Sequence, residues 1–213
     1  MLFLFDYDGV IADSFDSLLE VCIEAQAVFG QGRAPSADDF RTIENLTFDE
    51  LGGKIGIPKG KCAAYGATVF EIQREKECPC PFLKVVEVIQ KLAVQHTAVV
   101  VTNSQSHVVR AALAEFGLGA AVTGVAGGES GATKFDRIVC LQAAHAASCE
   151  KTYMIGDTIG DIRAGKQTGV QTVAVTWGFQ ARDLLARELP DYLVDHPEEI
   201  LAIASGHMRN RTD

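Results

Sequence analysis

Six residues could carry chemistry in this chain: Asp6, Asp8, Thr102, Lys134, Asp157 and Asp161. Asp6 and Asp8 stand two apart where the apolar run Leu2-Phe3-Leu4-Phe5 ends. Thr102 ends the run Ala98-Val99-Val100-Val101, and Asp157 and Asp161 follow Tyr153-Met154-Ile155. Four carboxylates brought together repel one another, and a bound cation relieves that repulsion. Carboxylate ligation with waters completing the shell favours Mg²⁺. Mg²⁺ with an ammonium and a hydroxyl is a set that handles phosphate. A carboxylate beside bound phosphate can attack phosphorus and form an aspartyl-phosphate. A second carboxylate two residues away could protonate the leaving oxygen, then take a proton from water.

These groups converge only if a sheet brings the strand ends together. Periodicity predicts strands over 2–5, 97–102, 120–126, 152–155, 170–176 and 192–194. It predicts helices over 15–29, 82–94, 106–116, 134–147, 160–168, 181–188 and 197–204. From residue 82 onward strand and helix alternate, the signature of right-handed βαβ units and a doubly wound parallel α/β sheet. In such a sheet the strand ends near 6, 102 and 156 lie on one edge, where open α/β folds build their sites.

Residues 15–78 break the alternation and read as all-helical. Ser36 with Asp39, and Thr47 with Glu50, resemble helix starts with an acid three residues in. Gly52, Gly53 and Gly56 keep any helix there short, and Pro58 suits the first turn of another that runs to about residue 77. Cys78-Pro79-Cys80-Pro81 cannot continue a helix and reads as a linker. The expected organisation is a catalytic core of 1–14 and 82–213, with 15–81 as an inserted helical cap and its linkers. The tail from Ser205 is polar and expected to fray.

The chain has 213 residues, 47% of them hydrophobic, enough for one large domain or a core with a small second one. A formal net charge of −9 argues against nucleic acid or an anionic membrane as the main partner. The six scattered cysteines read as reduced thiols rather than a disulfide framework. No signal peptide or membrane span is visible, and the expected location is the cytoplasm.

The string Asp6-Tyr7-Asp8-Gly9-Val10-Ile11-Ala12-Asp13-Ser14 resembles the first motif of the haloacid dehalogenase-like phosphatases, closest to the phosphoglycolate phosphatase-like group. The resemblance continues in order through Val101-Thr102-Asn103, Lys134 and Gly156-Asp157-Thr158-Ile159-Gly160-Asp161, and covers nearly the whole chain. It implies that Asp6 is the nucleophile and Asp8 the general acid/base. It implies that Thr102, with Asn103 beside it, hydrogen-bonds the phosphoryl group and that Lys134 stabilises its charge. Mg²⁺ would be held by Asp6, the backbone carbonyl of Asp8 and Asp157, with Asp161 in support directly or through water. One departure is Lys134-Phe135-Asp136, where many relatives follow the lysine with proline; it touches the helix start more than the chemistry. The reaction implied is hydrolysis of a small phosphorylated metabolite, by a monomer or homodimer.

Other readings compete. A phosphosugar mutase uses the same aspartyl-phosphate, and a non-catalytic regulatory or binding protein could share the scaffold. Asp161 alone could be a helix-start acid favoured by the dipole, and Asp13 reads better as a cap than as a ligand. Cys78-Pro79-Cys80 lacks zinc spacing and a partner pair. The five histidines show no ligand spacing. Gly127, Gly128 and Gly131 read as a loop that lets Lys134 approach, and Trp177-Gly178-Phe179 as packing on the active edge. Arg33, Arg41, Lys54, Lys59, Lys61 and Arg74 are the insertion's candidates to meet an anionic substrate, though most suit a solvated surface.

Overall fold

Each residue of the opening apolar run is at most 1% exposed. The computed structural model, which describes residues 1–44 and 47–208, shows why. Its six strands are β1 (Leu2–Phe5), β2 (Thr97–Val101), β3 (Val122–Ala126), β4 (Thr152–Gly156), β5 (Gln171–Val175) and β6 (Tyr192–Val194). They form one parallel sheet in the order β3-β2-β1-β4-β5-β6. β1 is central, paired with β2 through Leu2↔Thr97 and with β4 through Leu2↔Thr152. A strand with neighbours on both edges and helices on both faces has no side left for a polar residue.

The chain divides into two compact units, 14–79 and the remainder. The first contains α1 (Phe15–Phe29), α2 (Ala37–Thr42), α3 (Phe48–Lys54) and α4 (Cys62–Gln73). Leu18, Val21, Cys22 and Ala25 make the buried stripe of α1, which Gly30 ends in the left-handed conformation at φ 71°. Ser36 and Asp39 form a reciprocal capping box on α2, and Thr47 Oγ1 accepts from Glu50 N at the start of α3. Pro58 precedes a 3₁₀ turn, Lys59–Lys61, rather than opening α4. α4 also stops short of the predicted residue 77. The next amides donate to carbonyls three residues back, Glu75 N to Ile72 O and Lys76 N to Gln73 O, so the helix tightens and ends before Pro79.

In the second unit lie α5 (Leu83–Leu92), α6 (Ser106–Glu115), α7 (Lys134–Ala144), α8 (Ile159–Thr168), α9 (Arg182–Arg187) and α10 (Glu199–Ala204). Side-chain alternation sorts them. Phe3, Phe5, Val100 and Ile155 pack on one face with Val85 and Ile89 of α5, Leu113 of α6 and Ile200 of α10. Leu2, Leu4, Val99 and Met154 pack on the other with Ile138 of α7 and Ala164 of α8. Each such buried side chain contributes about 1.5–3 kcal/mol. The predicted loose segment after β3 contains a 3₁₀ turn, Gly128–Ser130. Residues 205–208 hydrogen-bond back onto the end of α10, and the rest of the tail expected to fray, 209–213, lies outside the described residues.

Strands added on one side of β1 run through β2 to β3, and on the other from β4 to β6. The order therefore reverses between β1 and β4, which opens a crevice at their carboxyl ends.

Candidate active site

The β1 ladder continues one residue past the strand, where Asp6 N donates to Ile155 O at 2.9 Å. This anchors the Asp6 backbone at the sheet edge, and Tyr7 N donates to Asp6 Oδ1 at 2.8 Å. Lys134, the first residue of α7, reaches the same edge from the helix that packs on the Leu2, Leu4 and Val99 face of the sheet. Its Nζ lies 2.9 Å from Asp6 Oδ2 and 2.5 Å from Asp161 Oδ1. Proline is not needed to start α7. Thr133 and Asp136 form a capping box instead, with Asp136 Oδ2 accepting from Thr133 N at 3.0 Å.

Asp161 has two tasks. Its Oδ2 accepts from Thr158 N and Thr158 Oγ1, which caps α8, while its Oδ1 meets Lys134. The helix-start reading of this residue is thus realised, and the same carboxylate also meets Lys134. Asp157 is fully buried; its Oδ2 accepts from Phe179 N at 2.7 Å, but its Oδ1 has no hydrogen-bond partner among the described residues. Glycine is required on two sides of that carboxylate, because a Cβ at Gly9 (φ +73°) or at Gly178 would collide with it. Phe179 thus reaches that carboxylate through its amide. Trp177 packs against the core and donates Nε1–H to Val10 O.

One carboxylate oxygen from each of Asp6, Asp157 and Asp161 lies within 4.8 Å of the others. Asp8 is not in that triad; its Oδ2 accepts from Ser104 Oγ at 2.5 Å. Thr102 is buried at the end of β2, and its Oγ1 accepts from Ser104 N. Arg137 donates from Nη1 to Thr102 O at 2.6 Å and from Nη2 to Asn103 Oδ1 at 2.7 Å. Spacing singled out neither Ser104 nor Arg137. The available signals were weak: Ser104 is two residues past Thr102, and Arg137 is one helical turn past Lys134.

Burial pushes the Asp6 carboxyl up to about 7, opposed by Lys134 and reinforced by Asp161 and Asp8. Asp157 is raised as well, by burial first and then by Asp161 and Asp6. Burial alone would lower the Lys134 pKa, but Asp161 and Asp6 outweigh it and hold the ammonium above the usual lysine value. Three buried acids thus face one ammonium. The shortfall of positive charge, the hard oxygen donors and the unpartnered Asp157 Oδ1 together fit a hard divalent cation.

A phosphoglycolate phosphatase from Synechococcus elongatus is 24% identical over 97% of this chain and 98% of its own length. The pyrophosphatase PpaX of Anoxybacillus flavithermus is 38% identical over a shorter stretch, 31% of this chain and 29% of its own. The structure of the haloacid dehalogenase-like family protein SP0104 from Streptococcus pneumoniae shares the fold, with a TM-score of 0.84 over 95% of this chain and 97% of that one at 21% identity. Residues 3–175 match the sequence model of the haloacid dehalogenase-like hydrolases, and the chain belongs to that family of enzymes.

Proposed function

We propose that this enzyme is a Mg²⁺-dependent phosphatase that hydrolyses a small phosphorylated metabolite through an aspartyl-phosphate on Asp6. The observation that carries this reading is the Asp6–Lys134–Asp161 contact set beside the unpartnered oxygen of Asp157. Asp6 and Asp157 would hold Mg²⁺, with the Asp8 carbonyl as a further ligand and Asp161 in support. When bound, Mg²⁺ would keep the Asp6 carboxylate ionised and offset charge on the phosphoryl oxygens.

The protein's own residues then divide the reaction. An Asp6 carboxylate oxygen attacks phosphorus as the bond to the leaving oxygen breaks, and Asp8 delivers a proton to that oxygen. Asp8, now ionised, takes a proton from water as the water oxygen attacks phosphorus. The acyl-phosphate P–O bond breaks, releasing phosphate and restoring Asp6. Lys134 neutralises charge on Asp6 and on the transferring group, and the Thr102 hydroxyl and Asn103 amide hydrogen-bond it. Ser104 holds the Asp8 carboxylate in place between the two proton transfers.

The helical unit 14–79 is assigned the role of substrate-selecting cap. The six free cysteines fit a cytoplasmic setting. The relatives' names supply the first two compounds to test, phosphoglycolate and pyrophosphate. A panel of small phosphoesters that includes a hexose 1-phosphate decides the reaction type. Release of inorganic phosphate supports hydrolysis, and an isomeric sugar phosphate would instead make the enzyme a mutase.

A further inference from the structure

One buried cation has no task in that scheme. Arg137 is 6% exposed, and no carboxylate pairs with it among the described residues. Its guanidinium donates to one short segment, the Thr102 carbonyl and the Asn103 side chain, and its Nε is buried without a partner among the described residues. Taking a guanidinium out of water is costly: burial lowers its pKa, and the carboxylates of Asp6, Glu129, Asp161 and Asp136 offset that only in part. A structural clasp between a helix and a loop could be made by a neutral amide, so the retained charge calls for a reason in the site.

Geometry supplies one. Lys134 and Arg137 are three residues apart and so share a face of α7. From that face Lys134 reaches Asp6 and Asp161, while Arg137 reaches the two residues that follow β2. Arginine has donors only, so the Asn103 atom it touches must be the carbonyl oxygen. That fixes which end of the amide carries the N–H donors. A planar fork can hold a backbone carbonyl and a side-chain oxygen together, whereas a lysine ammonium on a flexible stem is a poor substitute.

We propose that Arg137 is a positioning residue that clamps Thr102 and Asn103 to the helix carrying Lys134, so that the phosphoryl-binding donors and the ammonium keep one fixed spacing. The proposal rests on the phosphatase reading of the site. The rest of this loop is gripped from the segment after β3: Gly128 N donates to Ser104 O at 3.0 Å, and Glu129 accepts from Ser106 N and Oγ. From α7, Arg137 grips the two residues nearest the strand end.

The test is a double-mutant cycle with Arg137→Met, Asn103→Ala and the pair, plus Arg137→Lys, on 4-nitrophenyl phosphate. The expected result for Arg137→Met is a kcat loss of about 30- to 100-fold with KM moved less than about threefold. The double variant should fall no more than about twofold below Arg137→Met, because the two residues act as one unit. Arg137→Lys should recover little of the loss. If Arg137→Met fails to fold, Arg137→Lys carries the test, with an expected loss of about tenfold. Unchanged kcat with only a lowered melting temperature would overturn the clamp, as would additive penalties or full rescue by lysine. Inorganic phosphate binding by calorimetry separates this from the parent reading. If wild-type enzyme shows no turnover on any phosphoester, the phosphatase reading fails. The clamp still predicts about tenfold weaker phosphate binding in Arg137→Met, and equal affinity would sink it.

Discussion

Asp157 and Asp39 are both buried acids, one in the α/β unit and one in the helical insert, and their surroundings differ in kind. Asp39 accepts two bonds from Arg33, at 2.6 Å each, and two from Ser36. Arg33 first, and then the Ser36 bonds, hold its carboxyl well below the usual carboxylate range against the opposing effect of burial. Asp157 keeps an oxygen with no partner, and burial with two neighbouring acids pushes it up. A buried acid whose bonds are all met belongs to the scaffold. One left short, beside two more buried carboxylates, marks a site for something the polypeptide does not supply.

The largest effect that would test this contrast is at Asp6. Asp6→Asn should reduce turnover by about 10⁴-fold or more while the circular dichroism spectrum stays native; substantial remaining turnover would remove Asp6 as nucleophile. Chelation comes next. EDTA should abolish activity and excess Mg²⁺ restore it, and Asp157→Asn should weaken Mg²⁺ binding measured by calorimetry at least about tenfold. Equal Mg²⁺ affinity in that variant would mean that the orphaned oxygen is not a ligand.

A smaller effect, on stability, should differ in sign between the two acids. The Asp157 pKa is raised on folding, so the folded state retains a proton that the unfolded chain has already lost. Its ionisation therefore erodes stability as pH rises above the unfolded value of 3.8. In metal-free protein Asp157→Asn should raise Tm by a few degrees at pH 8, and the gain should shrink near pH 4. The Asp39 pKa is lowered on folding, so its contribution is present above the unfolded value and lost as pH falls through the folded one. Asp39→Asn should lower Tm at pH 8, with a shrinking penalty in acid. The same sign for both variants would erase the distinction drawn between them. Smallest is Tyr65→Phe in the insert, which removes the 3.1 Å bond from Tyr65 Oη to Cys22 O. A loss of about 1 kcal/mol, or roughly 2–4 °C, is expected, with kcat on a generic phosphoester unchanged.

What the sequence made legible follows the range over which each constraint acts. The strand Leu2–Phe5 and the capping pairs Ser36/Asp39 and Thr47/Glu50 are written within a few residues, and the structure has them where the pattern placed them. Asp6, Lys134, Asp157 and Asp161 were legible as a group because parallel strand ends share an edge. Ser104 and Arg137 were not, because their meaning comes from partners far away in the chain, Asp8 for one and Thr102 and Asn103 for the other. No local period marks such a pairing. The end of α4 was missed for another reason: residues 74–77 suit a helix, yet the backbone tightens ahead of Pro79.

The central position of β1 also bears on how the chain acquires its fold. Its partner residues, Thr97 and Thr152, are synthesised long after it. At about 5–20 residues per second, the ~90 residues between β1 and β2 take about 5–20 s to emerge. For that time a bare Leu-Phe-Leu-Phe edge waits beside Asp6, the kind of apolar strand that invites aggregation or chaperone binding. Sheet closure then requires contacts between residues far apart in sequence, which slows folding. The strand that carries Asp6 at its end is made before both strands that flank it and is enclosed only once both have emerged.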